Sequence, residues 1–200
     1  MPRGPRDAPG FEPPLILASR SPRRVGLLRR LVADFAVIPS HVPEEGDDPP
    51  VEFVRRLALA KAEEVAHAHP ESIVVAADTV VVVDTERLGK PATPEAATGM
   101  LRRLSGRPHQ VITGVAVVHA AREVRLVEHE VTAVTFRRLA DEQIARYVAG
   151  GEPMDKAGAY AIQGGAAQFV ERVEGDYDNV VGLPLARLRG MLARAGLWIR

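Results

Sequence analysis

The alternation of apolar and polar positions divides the chain into strand-like and helix-like stretches. Leu15–Ala18 is a short apolar strand, and Ser21-Pro22 opens a helix predicted to run through about Val32. Phe35–Pro39 reads as a second strand, followed by a polar loop over His41–Pro50. Val51–Ala68 has helical spacing. Ser72–Asp84 reads as one long strand whose core, IVVAADTVVVVD, is apolar enough to predict burial on both faces. A loop carrying Leu88-Gly89-Lys90-Pro91 follows. Thr93 is then a plausible cap for a helix to Leu104, with Pro94 in the first helical position and Glu95 in the first turn.

His109–Ala120 and Glu123–Phe136 alternate as strands and predict a hairpin or neighbouring strands. Asp141–Val148 is a short helix, Gly150–Gly165 a glycine-rich polar stretch, Phe169–Val173 a strand and Leu185–Leu197 a C-terminal helix. No internal repeat or linker divides the chain. Strands interleave with helices, but two successive strands sit inside the order. That pattern predicts an α/β or α+β fold with a mixed sheet rather than a purely doubly wound one. Residues 1–13 are rich in Pro, Gly and charge and read as a disordered leader before a single domain over 14–200.

Composition narrows the function. The 200 residues carry 26 basic and 26 acidic side chains and no cysteine. A disulfide framework, a thiolate zinc site and a cysteine nucleophile are therefore excluded. Zero net charge argues against a general nucleic-acid binder. No apolar run reaches the ~20 residues of a membrane span, and the first residues lack the apolar core of a secretory signal. The expected location is the cytoplasm. Only Lys61, Lys90 and Lys156 among the basic residues are lysine, and Asn179 is the one asparagine. In so arginine-biased a chain, a retained lysine suggests a need for a compact ammonium group.

Three segments carry candidate chemistry. In Leu17-Ala18-Ser19-Arg20-Ser21-Pro22-Arg23-Arg24, a capped helix start meets three arginines, which is either a surface helix with solvated arginines or an anion site for phosphates. No Walker A loop or G-x-G-x-x-G occurs. In the long strand, Asp78-Thr79 interrupts the apolar run. Alternation puts Asp78 on one face with Ala76 and Val80, and Thr79 on the other with Ala77 and Val81. An ionised carboxylate there needs a partner or a metal. Lys61 shares a helix face with Val54, Leu57, Ala58 and Val65, so it leans toward the core. Two readings are open for it: a snorkelling side chain, or the partner of a buried carboxylate or a phosphate. The acidic loop with Glu44, Glu45, Asp47 and Asp48 is either a solvated loop or, with Asp78, a magnesium site. The histidines show no metal-ligand spacing, and no G-x-S-x-G elbow is present.

Taken together, these segments resemble the Maf family of nucleotide pyrophosphatases. The first matches its A-S-x-S-P-R-R opening, Ala76-Ala77-Asp78-Thr79 its A-A-D-T motif, and Gly89-Lys90-Pro91 its G-K-P. Gly151-Glu152-Pro153-Met154-Asp155-Lys156-Ala157-Gly158-Ala159-Tyr160 with Ile162-Gln163-Gly164, and Glu174-Gly175-Asp176-Tyr177-Asp178-Asn179-Val180-Val181-Gly182-Leu183-Pro184, match its last two motifs.

The resemblance implies an elongated mixed sheet flanked by helices, with a cleft between two lobes, similar to the inosine triphosphatases. It implies hydrolysis of dTTP and UTP, and possible modified pyrimidine nucleotides, to monophosphate and pyrophosphate. It also implies a divalent cation (Mg2+ or Mn2+) and a homodimer. By motif position, Asp78 is the expected proton acceptor. Arg23, Thr79 and Gln163 are tied to the base. Ser19, Arg24, Lys61, Lys90 and Lys156 hold phosphates or stabilise charge, Lys90 being counted with Asp78 as catalytic. Glu44, with Glu45 as the alternative, joins Asp78 as metal ligand. Two other readings stand beside this one: a pyrophosphatase preferring 7-methyl-GTP, and a nucleotide-sensing regulator of cell division and septum formation.

Overall fold

The computed structural model describes residues 13–197. All but one residue of the expected leader lies outside the described residues. Among the described residues there are seven strands and six α-helices. In chain order these are β1 (Leu15–Leu17), α1 (Pro22–Leu28), β2 (Ala36–Val37), α2 (Pro50–Ala68), β3 (Ile73–Val83), β4 (Glu86–Leu88) and α3 (Pro94–Leu104). The hairpin β5 (Pro108–His119) and β6 (Val124–Phe136) follows, then α4 (Asp141–Ala149), β7 (Val170–Glu174), α5 (Tyr177–Val181) and α6 (Leu185–Arg194).

The strands form one mixed sheet in the order β2-β1-β3-β5-β6-β7, with β4 also on β3. β1 pairs in parallel with β2 and β3, and every other pairing is antiparallel. The expected mixed sheet and the β5–β6 pair are both present.

β3 is the axis of the molecule. Its buried alternation sends Ile73, Val75, Ala77, Val81 and Val83 into a large core with α3, α4 and α6. The opposite face packs under α2 in two smaller clusters. One gathers Val74, Ala76 and Ala116 with Ala58 and Ala62; the other gathers Val80, Val82 and Ile112 with Phe53, Val54 and Leu57. Small residues bring α2 close. The extreme case is Gly114 on β5, where an added Cβ would stand 2.2 Å from the Val54 carbonyl oxygen.

Several boundaries differ from the sequence reading. The first helix stops at Leu28 rather than Val32, because the bonding shifts to i→i−3 at Arg30 and Leu31. The C-terminal helix stops at Arg194, where Gly196 turns left-handed at φ 89°. The second strand shrinks to two residues. The loop after β3 contains a strand, β4. Asp84 and Thr85, at φ 50° and 67°, form a two-residue turn that pairs Val83 with Glu86.

The pairing of β3 opens a gap that matters for function. On one edge, β1 covers Ile73–Val75 and β4 covers Val81–Val83. Residues 76–80 between them have a strand partner only in β5. Asp78 and Thr79 lie in that opening.

Candidate active site

A cleft of about 900 Å³ occupies the gap. Seven cationic side chains line it: Arg20, Arg23, Arg24, Lys61, Arg87, Lys90 and Lys156. Three carboxylates oppose them: Glu44, Asp78 and Asp155. The cleft thus holds an excess of four positive charges in a chain whose net charge is zero. Such focusing favours an anionic ligand.

At one wall sits an ion pair that the two apolar clusters beneath α2 enclose. Lys61 and Asp78 are both buried, and Lys61 Nζ donates to Asp78 Oδ1 at 2.6 Å. Burial of both partners excludes the snorkelling alternative for Lys61. The local fold explains the contact. Asp78 pairs in register with Gly114, so the two share a face, and the missing Cβ lets α2 descend until Lys61 meets the carboxylate.

Lys61 Nζ also donates to Glu44 Oε1 at 2.7 Å, and Lys90 Nζ donates to Glu44 Oε2 at 2.7 Å. Burial pushes the Glu44 carboxyl up, but hydrogen bonds from Lys61 and Lys90 outweigh it and hold the group at about 2. Glu44 therefore stays ionised across the physiological range. Its loop is pinned from outside: Arg56 binds the Asp48 carboxylate at 2.7 Å and the Glu45 carbonyl at 2.9 Å. Of the four acidic residues in that loop, Glu44 is the one that lines the cleft.

The hard oxygen donors facing the cleft at Lys61 are thus two carboxylates. No group of three or more acidic or histidine ligands gathers among the described residues. Two carboxylates flanking a cation-rich cleft fit a magnesium-like ion. Such an ion takes one or two carboxylates and completes its shell with phosphate oxygens and water.

The opposite face of β3 builds the other wall. Thr79 is the one β3 residue that is not fully buried. Arg24 Nη2 donates to Thr79 Oγ1 at 2.9 Å, and Arg24 Nε donates to the Gly182 carbonyl at 2.8 Å. Burial lowers the Arg24 pKa, opposed by the charges of Asp78 and Glu44. Ser21 caps α1 by accepting from the Arg24 N–H at 3.4 Å, and Ser19, buried at the cleft edge, accepts from Ser21 N–H at 3.2 Å. Because Val75 accepts from Ala18 N–H, alternation turns the main-chain groups of Ala77 and Thr79 toward the opening as well.

The glycine-rich segment closes the cleft. Gly158, at φ 66°, packs so tightly on Val81 that an added Cβ would lie 2.8 Å from it, and its N–H donates to the Gly89 carbonyl at 3.0 Å. That bond ties this segment to the Lys90 loop. Lys156 Nζ reaches the Glu152 carbonyl at 2.7 Å and Asp155 Oδ1 at 2.5 Å. Gln163 lies exposed at the rim, and Arg23 lines the same rim half-buried.

A family model described as a Maf-like protein matches residues 14–195. The chain belongs to the Maf family. It is 55% identical over 184 residues to a protein of Symbiobacterium thermophilum named dTTP/UTP pyrophosphatase, across 91% of this chain and 94% of the relative. Proteins with the same name from Moorella thermoacetica and Dictyoglomus thermophilum are 53% and 48% identical over 92% and 91% of this chain, and 95% and 96% of theirs. Among solved structures, the Staphylococcus aureus Ham1 protein is similar at a TM-score of 0.46 and 19% identity. That match covers 64% of this chain and 72% of that one, too weak a likeness to bear on function.

Ser19, Arg23, Arg24, Glu44, Lys61, Asp78, Thr79, Lys90, Lys156 and Gln163 all line this one cleft, and Glu45, the alternative to Glu44, does not. Sequence reasoning missed others. Arg87 reaches the cleft from β4 with its guanidinium 3.4 Å over the Phe53 ring, and β4 itself was not legible. Thr113 and Asn179 support Thr79 from below. Asn179, the one asparagine of the chain and part of the last motif, donates its amide to the Val111 carbonyl at 3.0 Å and to Thr132 Oγ1 at 2.9 Å.

Proposed function

We propose that the protein hydrolyses dTTP and UTP to the nucleoside monophosphate and pyrophosphate. One observation carries the reading: the excess of positive charge in the cleft converges on a buried carboxylate, Asp78, held by Lys61. A polyanionic chain laid along the lysines would present its phosphorus atoms to that carboxylate. The relatives named dTTP/UTP pyrophosphatase, about half identical over nine-tenths of the chain, support the substrate class over 7-methyl-GTP.

In this reading Asp78 accepts the proton of the attacking water. Lys61 keeps the carboxylate in place and shields the approaching charge. Lys90 and Lys156 neutralise charge on the departing pyrophosphate, as preorganised cations do most effectively in a partly desolvated site. Arg24 and Ser19 hold phosphate oxygens, while Arg23, Thr79 and Gln163 meet the base. Glu44 and Asp78 would hold a magnesium or manganese ion, which when bound polarises phosphate oxygens and orients them. A homodimer in the cytoplasm completes the reading. It rests on the resemblance and on the composition. No helix among the described residues is long and apolar enough to cross a membrane.

Substituting Asp78→Asn tests the assignment. The amide cannot take a proton, so dTTP turnover should fall by about 10²–10⁴-fold. Thermal unfolding of the variant should stay cooperative, since Lys61 retains Glu44. Turnover within a few-fold of the parent protein would remove Asp78 from the reaction.

A further inference from the structure

A chain of hydrogen bonds beneath the cleft has a direction that its two ends fix. At one end Arg24, which has no acceptor atom, donates to Thr79 Oγ1 at 2.9 Å. At the other, Thr113 Oγ1 stands 3.1 Å from the Asn179 carbonyl, which can only accept. The expected helical donor to that carbonyl is diverted, because Leu183 N–H bonds Asp178 O instead. Thr113 and Asn179 are both wholly buried, so this carbonyl depends on the Thr113 proton. Between the ends, Thr79 Oγ1 and Thr113 Oγ1 are 2.9 Å apart.

Each hydroxyl owns one proton. Thr113 commits its proton to Asn179, so the bond between the threonines must use the proton of Thr79. The Thr79 hydroxyl therefore points its hydrogen inward and has already received one N–H from Arg24. What remains toward the cleft is one lone pair.

We propose that Thr113 is a specificity-determining residue: by holding the Thr79 proton inward it makes Thr79 an acceptor toward the substrate, selecting bases that present a ring N–H. Thymine and uracil carry that imide N–H; cytosine has a bare acceptor nitrogen at the same ring position. The inference rests on the reading that dTTP and UTP are substrates and that Thr79 meets the base. It adds the group that separates uracil from cytosine, and a residue that touches neither substrate nor metal.

Thr113→Val keeps the shape of the side chain and frees the Thr79 proton to turn outward, where it can donate to the cytosine ring nitrogen. Thr113→Ser keeps the hydroxyl. The quantity to measure is the ratio of kcat/KM for UTP to that for CTP, in the full-length protein. The parent protein should favour UTP, Thr113→Val should lower the ratio at least tenfold, and Thr113→Ser should restore it to near the parent value. A loss of folded protein scales both substrates alike and leaves the ratio unmoved, so the ratio separates selectivity from stability. If Thr113→Val does not fold, Thr113→Ala carries the same comparison. An unchanged ratio in the hydroxyl-free variant overturns the proposal, as does a ratio that Thr113→Ser fails to rescue. Absence of UTP and dTTP turnover in the parent protein would instead overturn the function itself.

Discussion

Lys61 shows how much of the site depends on one side chain. It is buried, and it donates to both carboxylates that face the cleft. Removing one partner of a buried pair leaves the other charge uncompensated, at a cost of about 3–5 kcal/mol. Lys61→Met should therefore destabilise the fold by about that amount in urea unfolding, and Asp78→Asn by distinctly less. Adding Asp78→Asn to Lys61→Met should recover part of the loss, since the stranded charge is then gone. A double variant whose loss equals the sum of the two single losses would mean that the pair is not a unit. Asp78 and Lys61 were legible in the sequence because a charge inside an apolar pattern stands out. Glu44 was legible only through its motif, since an acidic run in a loop looks the same whether one residue turns inward or none. Thr113 gave no signal, because a threonine in a strand is an ordinary strand residue.

At the scale of elements, the contact between α2 and the β3–β5 pair sets the site. The helix packs close because Ala58, Ala62, Ala76, Ala116 and Gly114 leave room for it. A Cβ at position 114 would overlap the Val54 carbonyl, so α2 would have to retreat and carry Lys61 from Asp78. Gly114→Ala should lower stability by about 1–3 kcal/mol through overpacking, and dTTP turnover should fall with it. Calorimetry and a turnover assay on the same preparation check both, and a variant with normal melting and normal turnover would show that the close approach is dispensable. Long elements such as α2, β3 and the β5–β6 hairpin were legible from periodicity. β4 and α5 were not, being too short to show a period. The Asp84-Thr85 turn also lacks the glycine that marks most such hairpins.

Across the whole molecule, the large core extends to an aromatic cluster that includes a buried histidine. The His109 ring meets Phe136 and Tyr160 edge-on, and its Nε2 lies 2.8 Å from the Tyr160 hydroxyl. Burial lowers its pKa to about 4, and burial shifts His119 in the same direction. The folded protein therefore holds His109 neutral at a pH where the unfolded chain takes up a proton. As pH falls from 6.5 toward 4, the unfolded state binds more protons and stability is lost. Between pH 7 and 5 the loss from His109 should be on the order of 2 kcal/mol, and His109→Gln should flatten the slope. Denaturant titrations across that range read it directly, and a parent protein equally stable at both ends would contradict a neutral buried ring.

The claim on which all of this turns is that the cleft cuts a nucleoside triphosphate between its first and second phosphates. The most direct measurement is to incubate the protein with dTTP and magnesium and resolve the products by ion-exchange chromatography. The expected products are dTMP and pyrophosphate in equal amounts. Release of dTDP and orthophosphate would contradict it, because the lysines and Asp78 would then be serving a different bond.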